Sequence, residues 1–468
     1  MLKHLRTFKG GFRFKNYPGQ AKPLLSLAEL PLRVLIPLSR SSKAEVKPLV
    51  KKGDIVFAGQ IIGKDAADIL SPAHASVNGI VEDIKYPKES KSESAIIVIR
   101  SSDTSRQVKP LGGQLASWQK LNNEKIKELI FLSGALGLPA DSSGKITQII
   151  VQETASEPYN YSLDLILEGE NTLNFIAGIN ILKKIMPSAQ VNLVFSRKNK
   201  KIINEISKLT AHLDWFNLCT VEPKYPQGCQ QVLLSTLLQK KIPHGGCASD
   251  IGVILLSAEE VLAVYDAVAL GKPFIEKIVA LSGPSFKENI HLKVRLGTPL
   301  HEIIEGRLKS DESIRLILNS LFTGQELKAL LSPIDKTFAQ IIAIADSKGR
   351  EFLAFARPGC RQDSYSRAFL AHWLPGIKKS VDTNQHGEER PCISCGFCEY
   401  SCPAMIIPHL LVKYVRKEII DEILINYEIF NCIECGLCSF VCPSKIPLLK
   451  YIQEGQKKLL AEGFHVKK

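Results

Sequence analysis

The chain has no run of the roughly 18–20 consecutive apolar residues that a membrane-spanning helix needs. Its start, Met1-Leu-Lys-His-Leu-Arg, lacks the apolar stretch of a signal peptide. Both absences point to a soluble or peripheral protein, with the cytoplasm as its compartment. There is no G-x-G-x-x-G between a strand and a helix and no G-x-x-x-x-G-K-[ST], so neither the standard dinucleotide fingerprint nor a P-loop is present to cradle phosphates. No H-E-x-x-H or H-x-x-E-H array organises the histidines, His74, His372 and His409 among them, and they are expected at the surface or hydrogen-bonded. Helix-turn-helix, RNP-type and basic-aromatic motifs are missing as well, which sets nucleic acid aside as the partner behind a formal charge of +13. Spread along the chain, that charge suits an anionic membrane face or an acidic partner.

What the chain does have is cysteine in two identical arrays, Cys392-x-x-Cys395-x-x-Cys398-x-x-x-Cys402-Pro403 and Cys432-x-x-Cys435-x-x-Cys438-x-x-x-Cys442-Pro443. In such a run three thiolates of one loop reach three corners of one cubane, and the fourth, set before a proline, points at the neighbouring cluster. The spacing therefore predicts two [4Fe-4S] clusters. One is held by Cys392, Cys395, Cys398 and Cys442, the other by Cys402, Cys432, Cys435 and Cys438. Zinc is the competing reading, but zinc sites show two separated C-x-x-C pairs rather than two four-cysteine runs ending in Cys-Pro. Clusters of this kind move one electron at a time. The four remaining cysteines, Cys219, Cys229, Cys247 and Cys360, have no regular spacing, and a disulfide framework does not suit so long a chain. Cys360 is expected to be an ordinary buried thiol, and His244-Gly-Gly-Cys247 with Asp250 a structural loop that lacks a second ligand pair.

At 468 residues and 45% hydrophobic the chain can form three or four domains of the usual ~100–200 residues. The expected fold is multidomain, α/β plus β. Residues 1–110 carry an N-terminal segment and a small β barrel of short strands such as Arg33-Val-Leu-Ile-Pro and Gly79-Ile-Val-Glu-Asp-Ile. The barrel resembles lipoyl and biotinyl carriers but has no modifiable lysine in its tip region, Asp65-Ala-Ala-Asp-Ile; Lys64 is the nearest. Residues 111–273 alternate apolar strands with amphipathic helices, the pattern of a parallel sheet covered on both faces. Residues 274–335 read as a β-grasp-like insert, and 336–380 as a hairpin, Gln340-Ile-Ile-Ala-Ile-Ala with Glu351-Phe-Leu-Ala-Phe-Ala, plus a linker. Residues 381–468 form the two-cluster domain, α-helical because Ile406 to Ile429 repeats at helical spacing.

Together these residues give a family resemblance. Phe8-Lys-Gly-Gly-Phe, Lys52-Gly-Asp, Ser71-Pro-Ala-His-Ala-Ser, Glu157-Pro-Tyr, Lys224-Tyr-Pro-Gln-Gly, Ala267-Val-Ala-Leu-Gly-Lys-Pro, Arg295-Leu-Gly-Thr-Pro and both arrays resemble the RnfC component of the Rnf electron-transport complex over nearly the whole chain. Gly349-Arg-Glu-Phe-Leu, Ala356-Arg-Pro-Gly, Thr383-Asn with Gly387-Glu-Glu-Arg, and Phe440-Val-Cys-Pro-Ser-Lys resemble the NqrA component of the sodium-translocating NADH-quinone reductase, Nqr. In the Nqr protein the matching region lacks the cluster cysteines that are all present here.

The Rnf resemblance implies an FMN and NADH pocket built on G-x-G-G-A-G-F-P-T and Glu-Cys-Glu-Pro-Tyr. Here the corresponding stretches are Ser133-Gly-Ala-Leu-Gly-Leu-Pro-Ala and Thr154-Ala-Ser-Glu-Pro-Tyr. Most of the glycines that would let backbone approach a phosphate are gone. Gly134, Gly137, Glu157 and Tyr159 are what remains of that pocket, so a bound FMN is not the favoured expectation. The resemblance implies a peripheral electron-transfer protein at the cytoplasmic face of the inner (plasma) membrane, relaying electrons toward flavin- or quinone-bearing membrane subunits of a complex that couples electron flow to ion translocation. The rivals are an FMN-bearing NADH-oxidising entry subunit and a non-catalytic or quinone-contacting scaffold. Flavin content and NADH-driven bleaching separate the first rival, and cysteine substitution the second.

Overall fold

The computed structural model describes the chain except residues 1, 5–6, 15–17, 40–43, 87–94, 103–104, 112–116, 136–145, 155–156, 161–162, 168, 198, 243–244, 310–312, 328–331, 347–388 and 465–468. Between Arg33 and Ser101 the strands are short and antiparallel. One sheet runs Arg33–Pro37, Ile96–Ser101, Gly79–Lys85, Ile55–Val56, and a smaller one Lys47–Pro48, Ile61–Lys64, Ala73–His74. Alternation dictates their faces: Val34 and Ile36 are buried while Arg33 and Pro37 are exposed, and Ile97 and Ile99 meet Val56, Ile62 and Val81 in one core. The tip is closed by Asp65, whose carboxylate accepts the backbone N–H groups of Ile69, Ala67 and Leu70. The bond from Ile69 leads the causes that hold its pKa below the usual value, against a smaller opposing effect of burial. Lys64 is ion-paired with Asp68 at 3.0 Å and does not stand free at a tip.

The central sheet is parallel, in the order Leu2–His4, Phe216–Val221, Gln190–Ser196, Gln148–Glu153, Val253–Leu256. Its strands are apolar on both sides because helices cover both. Ile149, Val151, Leu193 and Phe195 face helices Asn123–Ser133, Glu170–Ile185, Lys200–Thr210 and Ala258–Ala269, and Ile150, Val194 and Cys219 face helix Gln230–Leu238. Local signals start these helices: Asn122 caps the first, and Ser257 with Glu260 forms a reciprocal capping box on Ala258–Ala269.

The next sheet differs from expectation. Its order is Ile314–Leu318, Gln340–Ala345, Glu276–Ser282, Ile290–Arg295, Leu25–Leu27, with helix Leu300–Ile304 against it. Gln340–Ala345 pairs with Ile314–Leu318 and Glu276–Ser282, and its expected hairpin partner at 351–356 lies outside the described residues. The N-terminal segment is also shared out. Leu2–His4 edges the central sheet and Leu25–Leu27 edges this one, so residues before the barrel cover two open sheet edges. Helix Ala258–Ala269 is tied to this sheet by a buried ion pair, Lys277 Nζ to Glu259 Oε2 at 2.8 Å.

After Glu389 the fold is helical, as the period predicts: Phe397–Ser401, Pro408–Arg416, Glu422–Asn426, Leu437–Phe440 and Leu448–Ala461. Pro408 opens its helix at a position where no N–H is needed. Leu411, Val412 and Val415 pack on Ile452 and Leu459. Among the described residues no helix is long and apolar enough to cross a membrane.

Candidate metal centre and its adjoining crevice

The two cysteine arrays are one backbone design used twice. Offset by 40 residues, Ser394 (φ 53°) matches Glu434 (φ 55°), Gly396 matches Gly436 (both φ 73°), and Met405 (φ 58°) matches Lys445 (φ 54°). These left-handed turns wrap each loop around its first three cysteines, and the helices Phe397–Ser401 and Leu437–Phe440 carry Cys398 and Cys438.

The eight thiols lie close enough to influence one another: Cys442 feels Cys395 and Cys392, Cys398 feels Cys442 and Cys395, Cys435 and Cys438 feel Cys432 and Cys402, and Cys438 also feels Cys398. All eight cysteines are free thiols. Among the described residues, no three His, Cys, Asp or Glu side chains are placed to share a single metal ion. Burial pushes the Cys398 and Cys432 thiols up to about 12. Thiols this deep ionise only against positive charge, which iron would supply. Backbone N–H groups stand ready for the sulfurs: Ile406, Ala404 and Met405 for Cys402, and Ile446 and Ser444 for Cys442. The donor set fits two cubanes, with hydrogen bonds of the kind that tune cluster potential. His409, expected as one of the scattered histidines, lies against this site, its Nδ1 3.8 Å from Cys398 Sγ.

Around the second loop the rest of the chain closes in. Tyr225 donates its hydroxyl to the Cys435 carbonyl at 2.6 Å. A Cβ on Gly436 would lie 2.6 Å from the Phe322 carbonyl oxygen, and one on Gly10 2.5 Å from that of Cys402. Phe12, Phe14, Tyr225, Phe322 and Phe440 stack into one aromatic plug, with Phe322 4.8 Å from Phe440 and 4.6 Å from Tyr225. Thus Phe8-Lys-Gly-Gly-Phe holds the end of the first loop through Gly10 and Gly11 and the second through Phe12, and Lys224-Tyr-Pro-Gln-Gly holds the second through Tyr225, roles that local spacing did not reveal.

Beside that loop, beyond the carboxyl end of strand Gln148–Glu153, is a crevice of about 400 Å³ whose walls include Glu153, Glu157, Tyr225, Cys229, Glu434 and Cys435. This is where parallel α/β sheets place ligands. Burial raises the Glu153 carboxyl to about 8 and Glu157 to about 7. Glu153 accepts the Ala258 N–H at 2.6 Å and so occupies the anion position at the start of helix Ala258–Ala269. No lysine or arginine is among the described lining residues.

Of the four residues expected as remnants of an FMN and NADH pocket, Gly134, Glu157 and Tyr159 are described. Only Glu157 lines the crevice, and its carboxylate accepts from Ser320 Oγ at 2.6 Å and Leu321 N–H at 2.7 Å. Tyr159 is buried, donating its hydroxyl to the Pro18 carbonyl and its N–H to Gln20. Gly134 ends helix Asn123–Ser133 in a left-handed turn (φ 69°), and its carbonyl accepts from Lys336. Gly137 lies outside the described residues, as do Cys360 and His244. Cys247 begins a short capped turn, its N–H donating to Asp250. Cys229 and Glu153 were not singled out by sequence pattern; their position appears only once strand ends and cluster loop are brought together.

Four family models match along the chain: the RnfC barrel sandwich hybrid domain over residues 6–104, the Nuo51 FMN-binding domain over 135–266, the NQRA C-terminal domain over 278–329 and the 4Fe-4S dicluster domain over 389–446. The chain is 28% identical to the C component of the proton-translocating ferredoxin:NAD(+) oxidoreductase complex of Clostridium ljungdahlii, over 96% of this chain and 93% of that one. It is 26% identical to the C component of the ion-translocating oxidoreductase complex of Buchnera aphidicola subsp. Baizongia pistaciae, over 94% and 82%. With the corresponding protein of Buchnera aphidicola subsp. Acyrthosiphon pisum it shares 29% identity over 80% and 73%. The chain thus resembles RnfC along its length and carries an Nqr-like domain.

Proposed function

We propose that this chain is the peripheral iron–sulfur electron-transfer subunit of an Rnf/Nqr-type membrane complex that couples NADH-linked electron flow to ion translocation. The observation that carries it is the double array itself, eight free thiols, with Cys435 lining a crevice at the strand ends. When bound, each [4Fe-4S] cluster accepts or gives one electron without making or breaking a bond in a substrate. Cys392, Cys395, Cys398 and Cys442 hold one cluster, and Cys402, Cys432, Cys435 and Cys438 the other. The backbone N–H groups and the aromatic plug set spacing and keep water from the second loop.

With no described helix able to span a bilayer and a formal charge of +13, the chain docks on membrane subunits from the cytoplasmic face, and those subunits carry the ion path. Its domains are a carrier-like barrel without carrier chemistry, the parallel α/β domain, a β-grasp-like domain extended to Ala345, and the dicluster domain. Leu2–His4 and Leu25–Leu27 are lent by the N-terminal segment to the second and third of these.

A second reading, an FMN-bearing entry point for NADH, has in its favour the FMN-binding family match over 135–266 and the crevice against Cys435. Anaerobic purification with FMN quantified, followed by NADH titration watched by EPR, decides between them. No flavin, with clusters reduced by dithionite but not by NADH, supports the relay; stoichiometric FMN and NADH-reduced clusters establish the entry point.

A further inference from the structure

The pseudo-repeat of the two arrays makes an internal comparison possible, residue against residue at an offset of 40. Phe440 of the second unit is fully buried, with Phe12, Phe14 and Phe322 against its ring. Its equivalent in the first unit, Tyr400, is 77% exposed. Ile433 is half-buried in the crevice wall, whereas its equivalent Ile393 is 62% exposed. Lys445 is half-buried, whereas its equivalent Met405 is 64% exposed. Cys392 and Cys395 are themselves exposed, while Cys432 and Cys435 are partly covered.

Of the exposed large apolar side chains described after Glu389, three of four are Ile393, Tyr400 and Met405, the fourth being Leu460. They are concentrated around the first array, which Gly10 and Gly11 contact at Ser401 and Cys402, and their equivalents in the second unit are covered by protein. The only described methionine besides buried Met186 is among them, and such a side chain adapts well to a docking surface.

We infer that Ile393, Tyr400 and Met405 form the docking face for a second protein that carries its own one-electron cofactor, seated on the first cluster loop as Phe12, Phe14 and Phe322 are seated on the second. The inference rests on the proposed two-cluster function. The occupant follows from the chemistry: ligand thiols at the surface serve transfer only when another redox centre is brought against them, and the exposed face around them is apolar except for Ser394 and Glu399, so most of the contact is made by packing. One electron crosses the contact, the chain's side being oxidised and the partner's cofactor reduced, with no bond or proton exchanged; in the opposite direction the roles reverse.

The test uses the assembled membrane complex with p-benzoylphenylalanine placed at position 400. On irradiation, the crosslink is expected on a protein of the complex, or one bound to it, that holds its own flavin or iron–sulfur centre. A crosslink to residues 347–388 of this chain, to lipid, or to a protein without a redox centre would overturn the inference. In parallel, Tyr400→Ser with Met405→Ser is expected to slow cluster reoxidation through the complex at least tenfold. Reoxidation by ferricyanide, a small acceptor that needs no docking face, should be unchanged. An unaltered rate through the complex, or an equal loss with Leu460→Ser, contradicts the proposal. If the double variant loses iron, the crosslink alone decides; if the unsubstituted chain holds no clusters, it is the proposed function that fails.

Discussion

Replacing Gly10 by alanine should pull the N-terminal segment off the end of the first cluster loop, at Ser401 and Cys402. Gly10 sits at φ +68°, and an added Cβ would lie 2.5 Å from the Cys402 carbonyl oxygen and 2.8 Å from that of Ser401. Both obstacles are backbone, so no side chain can swing aside. Ordinary contact distances of about 3.5 Å leave the methyl roughly 1 Å short of room. Left-handed backbone costs a non-glycine residue about 1 kcal/mol, and overpacking of this kind about 1–3 kcal/mol. The docked segment, held by Gly11 N–H to Ser401 O at 2.7 Å and by the Phe12–Tyr225 bridge, should therefore lose about 2–4 kcal/mol. At about 1.4 kcal/mol per tenfold, its undocked population rises at least 30-fold or so. Trypsin reports that population through cleavage at Lys9 and Arg13, because proteolysis of a fast-opening segment follows the open fraction. The same samples should lose iron to a chelator faster, from the cluster that includes Cys402 first. Cleavage within about twofold of the unsubstituted chain, a change worth only about 0.4 kcal/mol, would refute the packing argument.

Other perturbations have equally definite outcomes. Glu157 has its folded pKa raised to about 7 by burial, so the folded state holds the proton more tightly than the unfolded chain. Stability should fall as pH rises from the ordinary unfolded value of 4.5 to about 7 and level off above. Because the group lines an open crevice, the loss is expected at about 1–2 kcal/mol. Glu157→Gln keeps an acceptor for Ser320 and Leu321 and should flatten that slope in denaturant titrations across pH; an unchanged slope assigns it elsewhere. Glu259→Ala leaves Lys277 buried without its partner and should destabilise by about 3–5 kcal/mol in chemical unfolding, whereas the pair replaced together by methionine and leucine should cost far less. Cys442→Ser should erase the same EPR signal as Cys395→Ser, and Cys402→Ser the same as Cys432→Ser; matched loss within one array, rather than across arrays, would reverse the ligand assignment.

How much of this was legible in the sequence depends on the range of the interaction. Cluster ligands are set by spacing within eleven-residue loops, so both arrays and their helical connection could be read directly. Strands such as Val253–Leu256 announce themselves by unbroken apolar character. Three-residue strands carry no periodicity, and Leu2–His4 and Leu25–Leu27 found edges that only the assembled fold offers. Gln340–Ala345 has the composition of a hairpin strand, but its partners are chosen by the sheet it completes. Glu157-Pro-Tyr could be read as a pocket motif, yet Glu157 is bound to Ser320 and Leu321, more than 160 residues away. The inequality of the arrays was equally hidden: Tyr400 and Phe440 are chemically alike, and only the arrival of Phe12, Phe14 and Phe322 buries one of them.

The central claim is that this chain holds two one-electron centres. Its most direct test is to measure iron, acid-labile sulfide and zinc on one anaerobically purified sample and then titrate it with dithionite under EPR. About eight irons and eight sulfides per chain, with two electrons taken up into magnetically interacting reduced clusters, is the predicted result. Zinc in place of iron, or a single cluster that survives loss of either array, would contradict it.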